Sequence, residues 1–231
     1  DQLASETDAA GNETRYTYYL DGNVATMTGP RGNSGHYPGR DFILVYHYNE
    51  LNRLVRAELP PKEPGGRKPE IYFSYDTRGN VLTQTNPDGS VLSYTYTPRN
   101  QVETETTTGS GKSYTTSYSY DRVGNVKAVT DIRGNTIVND YDSLNRLVRT
   151  THPEGNDERF GYDEVGNQTT VTDGNGHVTA SSYDLLNRLT RIEYPGGNTI
   201  VYEYDRLGNK VYENNSKDQE RTYEYDWLNR L

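Results

Sequence analysis

The chain has 231 residues, a formal charge of −9 and no cysteine, and only 41 of its residues are Leu, Ile, Val or Phe. The acidic balance excludes a nucleic-acid partner, which needs a basic surface; the missing cysteines exclude disulfides and thiolate metal sites; and no apolar run reaches the ~18 residues of a membrane span. So few aliphatics with so much charge would alone describe a disordered chain, but 22 tyrosines supply large rings that bury area and keep a hydroxyl for a hydrogen bond.

The opening stretch, DQLASETDAAGNETRY, reads as the tail of one repeat running into the next, so the chain is expected to be an internal fragment of a longer one. From there a tyrosine anchor recurs at Tyr18, Tyr48, Tyr75, Tyr96, Tyr120, Tyr141, Tyr162, Tyr183, Tyr204 and Tyr225. The interval is 21 residues from Tyr75 to Tyr96 and at every step from Tyr120 onward. The remaining intervals of 30, 27 and 24 are the same unit with insertions of 9, 6 and 3 residues, around 33–41, within 60–70 and near 107–113.

The anchors alternate between two kinds. One continues into Gly-Asn: Tyr75, Asp76, Gly79 and Asn80; Tyr120, Asp121, Gly124 and Asn125; Tyr162, Asp163, Gly166 and Asn167; Tyr204, Asp205, Gly208 and Asn209. The other continues into Leu-Asn-Arg: Tyr141, Asp142, Asn145 and Arg146; Tyr183, Asp184, Asn187 and Arg188; and Tyr225 with Asp226, ending in Arg230. Tyr48 opens another copy of the second kind, and Tyr18 and Tyr96 open worn copies of the first and second. The true period is therefore 42 residues, a pair of unlike 21-residue units.

Each unit also carries a second turn, such as DIRGN at 131–135 or HPEGN at 152–156. Asp bonds its own backbone, Pro fixes φ, and Gly or Asn accepts φ > 0 at such places. About six residues remain between turns, one short strand. Segments such as TIVNDY and TIVYEY put alternate side chains on opposite faces, and no window holds a helical period. The prediction is an all-β chain: one domain over 1–231, about ten 21-residue units, tandem β-hairpins forming one long curled sheet. Equivalent tyrosines are expected to stack as substantially buried ladders.

Several motifs imitate chemistry. The Asp after each anchor could form a row of calcium ligands, but calcium loops need several oxygens converging in one short segment, and a turn-capping Asp fits better. Arg53, Arg146, Arg188 and Arg230 suggest an Arg–Asp ladder between hairpins. GSGKS at 109–113 resembles the end of a phosphate loop, but Thr106 stands where that loop needs Gly. DGNGH at 173–177 lacks the acidic residues of a calcium loop. His36, His47, His152 and His177 scatter over different units, and glycosylation sequons at Asn12, Asn167 and Asn214 are of the kind an Asn- and Thr-rich chain produces by chance. With no nucleophile–base pair, the reading is not an enzyme, with no catalytic residue, cofactor or metal. The insertions all fall at the second turn, so one edge of the sheet varies and the other is constant.

The alternating YDxxGN and YDxLNRL motifs, which cover nearly the whole chain, resemble the Rhs/YD-repeat family of bacterial polymorphic toxins, insecticidal Tc toxin components and animal teneurins. The resemblance implies a β-sheet spiralling into a hollow shell. In the bacterial toxins that shell encloses a C-terminal toxic domain, and in teneurins it is part of an adhesion receptor. For this chain it implies a structural segment of a secreted or cell-surface bacterial shell, whose partner is a toxin-domain cargo or the remaining shell. The alternative is an adhesion or carbohydrate-contact module that meets a surface glycan or receptor. The family's closing DPxGL segment is not in this sequence.

Overall fold

The structure is a computed structural model that describes residues 2–30, 42–63, 65–216 and 219–231. Its strands form two compact units, Asp1–Ser117 and Tyr118–Leu231. In the first, β1 (Ser5–Thr7), β2 (Glu13–Tyr18), β3 (Val24–Thr28), β4 (Ile43–Tyr48), β5 (Leu54–Glu58), β6 (Glu70–Tyr75), β7 (Val81–Thr85), β8 (Val91–Tyr96) and β9 (Val102–Gly109) follow one another. Each pairs antiparallel with the next. Strand β10 (Lys112–Tyr120) pairs with β9 through Lys112–Ser117. In the second unit the same meander runs through β11 (Val126–Thr130), β12 (Thr136–Tyr141), β13 (Leu147–Thr151), β14 (Asp157–Tyr162), β15 (Gln168–Thr172), β16 (Val178–Tyr183), β17 (Leu189–Glu193), β18 (Thr199–Tyr204), β19 (Lys210–Asn215) and β20 (Glu220–Thr222). The all-β, tandem-hairpin reading is what the structure shows.

The 21-residue period now has a mechanical origin. A six-residue strand ending on the anchor Tyr, a five-residue turn, a five-residue strand and a second five-residue turn complete one unit, as in Thr136–Tyr141, 142–146, Leu147–Thr151 and 152–156. At the YD hairpin of Tyr141 the register slips next to the anchor: Asp140 faces Arg149, but Tyr141 faces Leu147, leaving Val148 as an extra residue. The same slip precedes Tyr162, Tyr183 and Tyr204. A bulge of this kind sharpens the local right-handed twist.

Alternation gives the sheet two unlike faces. The anchor face carries the tyrosines. The other face carries hydroxyl pairs across neighbouring strands, Thr17–Thr26, Ser74–Thr83 and Thr95–Thr104, at 2.6, 2.6 and 2.7 Å. Neither face has a thick core behind it. Among the described residues only Ala57 and Thr150 are buried, and no large side chain is fully enclosed. The anchor tyrosines are half-buried, less than expected.

The insertions fare differently. The one around 33–41 lies outside the described residues. The one within 60–70 forms a loop closed by the Leu59 N–H donating to Pro69 O at 2.8 Å and the Gly66 N–H donating to Glu63 O at 3.0 Å. The one near 107–113 lengthens the strands instead of the loop. β9 and β10 run to a two-residue tip, Ser110–Gly111, with φ of 51° and 73°. That is the signature of a tight primed hairpin turn, so GSGKS is a hairpin tip and no helix follows it.

Candidate functional site

The repeated side chains converge on the turns that follow the anchors, which share one edge of each meander. Both kinds of turn have the same backbone. In 142–146 the Asn145 N–H donates to Asp142 O, and the Asp142 N–H donates to Arg146 O. In 163–167 Gly166 and Asn167 make the equivalent bonds with Asp163. The fourth residue of each turn is left-handed, with φ of 61° at Asn145 and 100° at Gly166. Gly tolerates this region freely and Asn better than other side chains. The two motifs are one turn with two solutions at that position, and they differ again at the fifth residue, which is Asn or Arg.

The Asp is the turn's internal cap. Oδ1 of Asp163 accepts from the N–H groups of Val165 and Asn167, at 3.1 and 2.8 Å, while Oδ2 accepts from Asn167 Nδ2 at 2.8 Å. In the second kind, Arg146 replaces that amide, with Nε donating to Asp142 Oδ2 at 2.7 Å. The capping reading of the Asp row is the one the geometry supports. Donors hold the carboxyls below the usual range. The side-chain amides of Asn80, Asn167 and Asn209 lead for Asp76, Asp163 and Asp205. The backbone N–H groups of Arg146 and Arg188 lead for Asp142 and Asp184.

Two predictions arise here. Replacing Asp163 or Asp205 by Ala is expected to lower the melting temperature measurably, with Asn at either position losing less because an amide oxygen still accepts; mutants that melt with the parent would remove the capping role. Acid is the second. A carboxyl whose pKa falls on folding contributes stability that is fully present above its unfolded value and is lost as pH falls through the folded one. Thermal melts should therefore be flat from neutral pH to about 5 and fall steadily below about 4. A midpoint that did not move in acid would contradict the bonding.

The alternation of Asn and Arg ties neighbouring turns together. Each Gly-Asn turn reaches the next: Asn80 Nδ2 donates to Asn100 Oδ1, Asn125 to Asn145, Asn167 to Asn187 and Asn209 to Asn229, at 3.2, 3.1, 2.9 and 3.3 Å. Three of the Leu-Asn-Arg turns reach on in their own way. Nη1 of Arg53, Arg146 and Arg188 donates to the backbone carbonyls of Asp76, Asp163 and Asp205, at 2.9, 3.1 and 3.0 Å. The anticipated Arg–Asp ladder between hairpins is thus corrected. The ion pair lies inside one turn, and the link to the next runs to its main chain.

The same guanidinium lies over the next anchor ring: Arg146 over Tyr162 at 4.6 Å and Arg188 over Tyr204 at 4.8 Å. This also corrects the expected tyrosine ladder. Anchors stand two strands apart, about 9.5 Å, beyond the 4.5–7 Å of ring stacking. Tyr141, Tyr162, Tyr183, Tyr204 and Tyr225 make no ring contact with one another; ring pairs occur elsewhere, as at Tyr19–Tyr48 and Tyr94–Tyr96. What joins anchors to their neighbours is a bond the sequence reading missed. The hydroxyls of Tyr96, Tyr141, Tyr162, Tyr183, Tyr204 and Tyr225 each donate to the backbone carbonyl fifteen residues earlier, at 2.8–3.1 Å. Tyr75 donates to Leu54 O, 21 residues back, because the six-residue insertion lies between. A constant offset of fifteen residues, stretched only by insertions, was the available signal.

The opposite, variable edge carries a groove of about 710 Å³ between the 60–69 loop and the 86–89 turn, lined by Lys62, Arg67, Pro69, Tyr72 and Pro87 among others. Elsewhere His47 bonds Glu58 at 2.8 Å and His177 bonds Asp173 at 3.0 Å. Among the described residues no group of three or more His, Cys, Asp or Glu could hold a metal ion.

Comparison with known proteins agrees with this geometry. The RHS Repeat family model matches residues 75–113, 141–179 and 183–211. The crystal structure of TcdB2-TccC3-TEV superposes with a TM-score of 0.77 at 18% identity, covering 98% of this chain and 13% of that one. TcdB2-TccC3-Cdc42 gives 0.65 at 15% identity, covering 95% and 15%, and TcdB2-TccC3 gives 0.58 at 18%, covering 97% and 16%. This chain therefore spans under a sixth of the length of the first structures it matches, and at these identities the likeness shows the fold alone. No curated protein matches its sequence. The chain carries RHS repeats at the matched residues, within a 21-residue unit and a tandem-hairpin fold that extend beyond them.

Proposed function

We propose that this chain is a wall segment of a secreted bacterial YD-repeat shell, one repeat domain whose partners are the rest of that shell and a toxic cargo domain inside it. One observation carries the reading: the sheet is stabilised along its edge and has almost no core. Capped turns, Asn–Asn and Arg–carbonyl links and Tyr hydroxyl bonds join each hairpin to the next, while only Ala57 and Thr150 are buried among the described residues. A globular enzyme or binding domain of this length would enclose a hydrophobic interior. A wall has to be continuous and thin, and a nearest-neighbour repeat provides both. The likeness to the TcdB2-TccC3 structures and the family's toxin-shell members point the same way.

The test is protection from protease. In a chain that carries these repeats together with a cargo domain, the cargo should resist digestion while the repeats are intact, and should become cleavable when Tyr162→Ala and Tyr204→Ala loosen the wall. Cargo cleaved equally fast in both would count against enclosure.

The groove on the variable edge supports a second reading, contact with a surface glycan or receptor. Tyr72 is an exposed ring held by its hydroxyl to Glu70 at 2.6 Å, with Lys62 and Arg67 beside it. A glycan-array signal abolished by Tyr72→Ala would establish it, and an array without signal would remove it.

A further inference from the structure

The turns that follow the anchors expose a row of aliphatic side chains that nothing in their own geometry requires. In the unit from Tyr118 onward, the residue two after each capping Asp is Val123, Leu144, Val165, Leu186, Leu207 or Leu228. Each donates its N–H to the Asp Oδ1, which fixes its side chain at the tip, and the six are 52–76% exposed. The turn itself needs no apolar group there, since Arg78 holds the same place at Asp76 with the same bond. The opposite edge of the unit has Arg133, Glu154, Asn175 and Gly196 at the matching position. In a chain this poor in aliphatics, six placed on one edge make a continuous apolar row.

The row's period restricts what can cover it. Tips recur at two strand spacings, about 9.5 Å, so a surface that meets all of them must repeat at the same interval. An edge of the same kind does so. The residues just before the tips add charge complementarity: Arg122, Ser143, Glu164, Leu185, Arg206 and Trp227. Glu164 and Arg206 are exposed, have no ion partner among the described residues, and stand one interval to either side of Leu185, which is fully exposed. A two-fold axis through Leu185 and Leu186 therefore sets each Glu164 opposite Arg206 of a second copy, twice, and sets Ser143 opposite Trp227.

We propose that this edge is a self-association surface, pairing antiparallel with the same edge of a second copy of the chain about that axis. The overlap is five turns, about 40 Å long. It is a small interface with a dissociation constant on the order of 10 µM.

Sedimentation of the chain over roughly 1–200 µM should show a reversible dimer. Val165→Ser with Leu186→Ser should weaken it at least tenfold while the far-UV spectrum is unchanged, because both side chains are solvent-exposed. Glu164→Arg alone should weaken it similarly, and adding Arg206→Glu should restore it. The chain has no cysteine, so Leu186→Cys should give a disulfide-linked dimer on mild oxidation, and Pro153→Cys on the opposite edge should not. A monomer at every concentration, a dimer indifferent to the edge substitutions, or a double charge swap that restores nothing would each overturn the proposal.

Discussion

Replacing Tyr162 by Ala is expected to destabilise the chain by about 2–3 kcal/mol, from losing a half-buried ring and its hydroxyl bond together. The ring has the Arg146 guanidinium over it at 4.6 Å, and its hydroxyl donates to Leu147 O at 2.9 Å. A fully enclosed ring would cost about 3–5 kcal/mol, and the incomplete burial of the anchors sets the lower figure. Tyr162→Phe separates the parts: it keeps the ring and removes one hydrogen bond, and should cost about 0.5–1.5 kcal/mol. Tyr225→Ala should cost clearly less than Tyr162→Ala. Tyr225 follows a Gly-Asn turn, so Asn209 stands where an Arg would lie over its ring, and its hydroxyl bond to Lys210 O is longer, at 3.1 Å. Urea unfolding of the three variants and the parent gives the comparison. Equal and small losses at Tyr162 and Tyr225 would mean that the ring, its cation and its hydroxyl bond carry no stability.

The period, the strands and the capping Asp were legible in the sequence because each depends on neighbours close in the chain. Asp163 bonds residues two and four positions on, so its role follows from local turn chemistry. The links between turns were not legible, because they join residues 15, 17 or 20 positions apart whose proximity depends on the strand register. A bulge of one residue, such as Val148, decides which carbonyl meets the hydroxyl of Tyr162. The tyrosine ladder failed on a related point. Identical letters every 21 residues suggested identical rings in contact, but 21 residues advance the chain by two strands, and before Tyr162 and Tyr204 an Arg from the intervening turn lies over the ring instead. The alternation of Gly-Asn with Leu-Asn-Arg, visible from the start as spelling, is the sequence record of that arrangement. An Asn reaches forward to an Asn, and an Arg reaches forward to a carbonyl and a ring.

Arg188→Ala is accordingly expected to cost about 1–2 kcal/mol, well above the 0–1 kcal/mol of an ordinary surface ion pair. Its guanidinium makes three different contacts. Nε bonds Asp184 Oδ2 at 2.7 Å, Nη1 bonds Asp205 O at 3.0 Å, and the plane lies over the Tyr204 ring at 4.8 Å. Only the first is an ion pair, so high salt should remove little of the effect. Lys at this position should recover less than half of it. A single ammonium on a flexible stem cannot bond the carboxylate and the carbonyl in one plane while covering the ring. Arg230 provides the internal comparison, because it makes the same bond to its own Asp226 at 2.8 Å but is 71% exposed. Arg230→Ala should change stability by no more than about 0.5 kcal/mol. A double-mutant cycle between Arg188→Ala and Tyr204→Leu isolates the stacked contact, with a coupling of about 0.5–1 kcal/mol expected. If Arg188→Ala and Arg230→Ala proved equally mild, the Arg would be only a cap for its own turn, and the 42-residue alternation would lose its mechanical explanation.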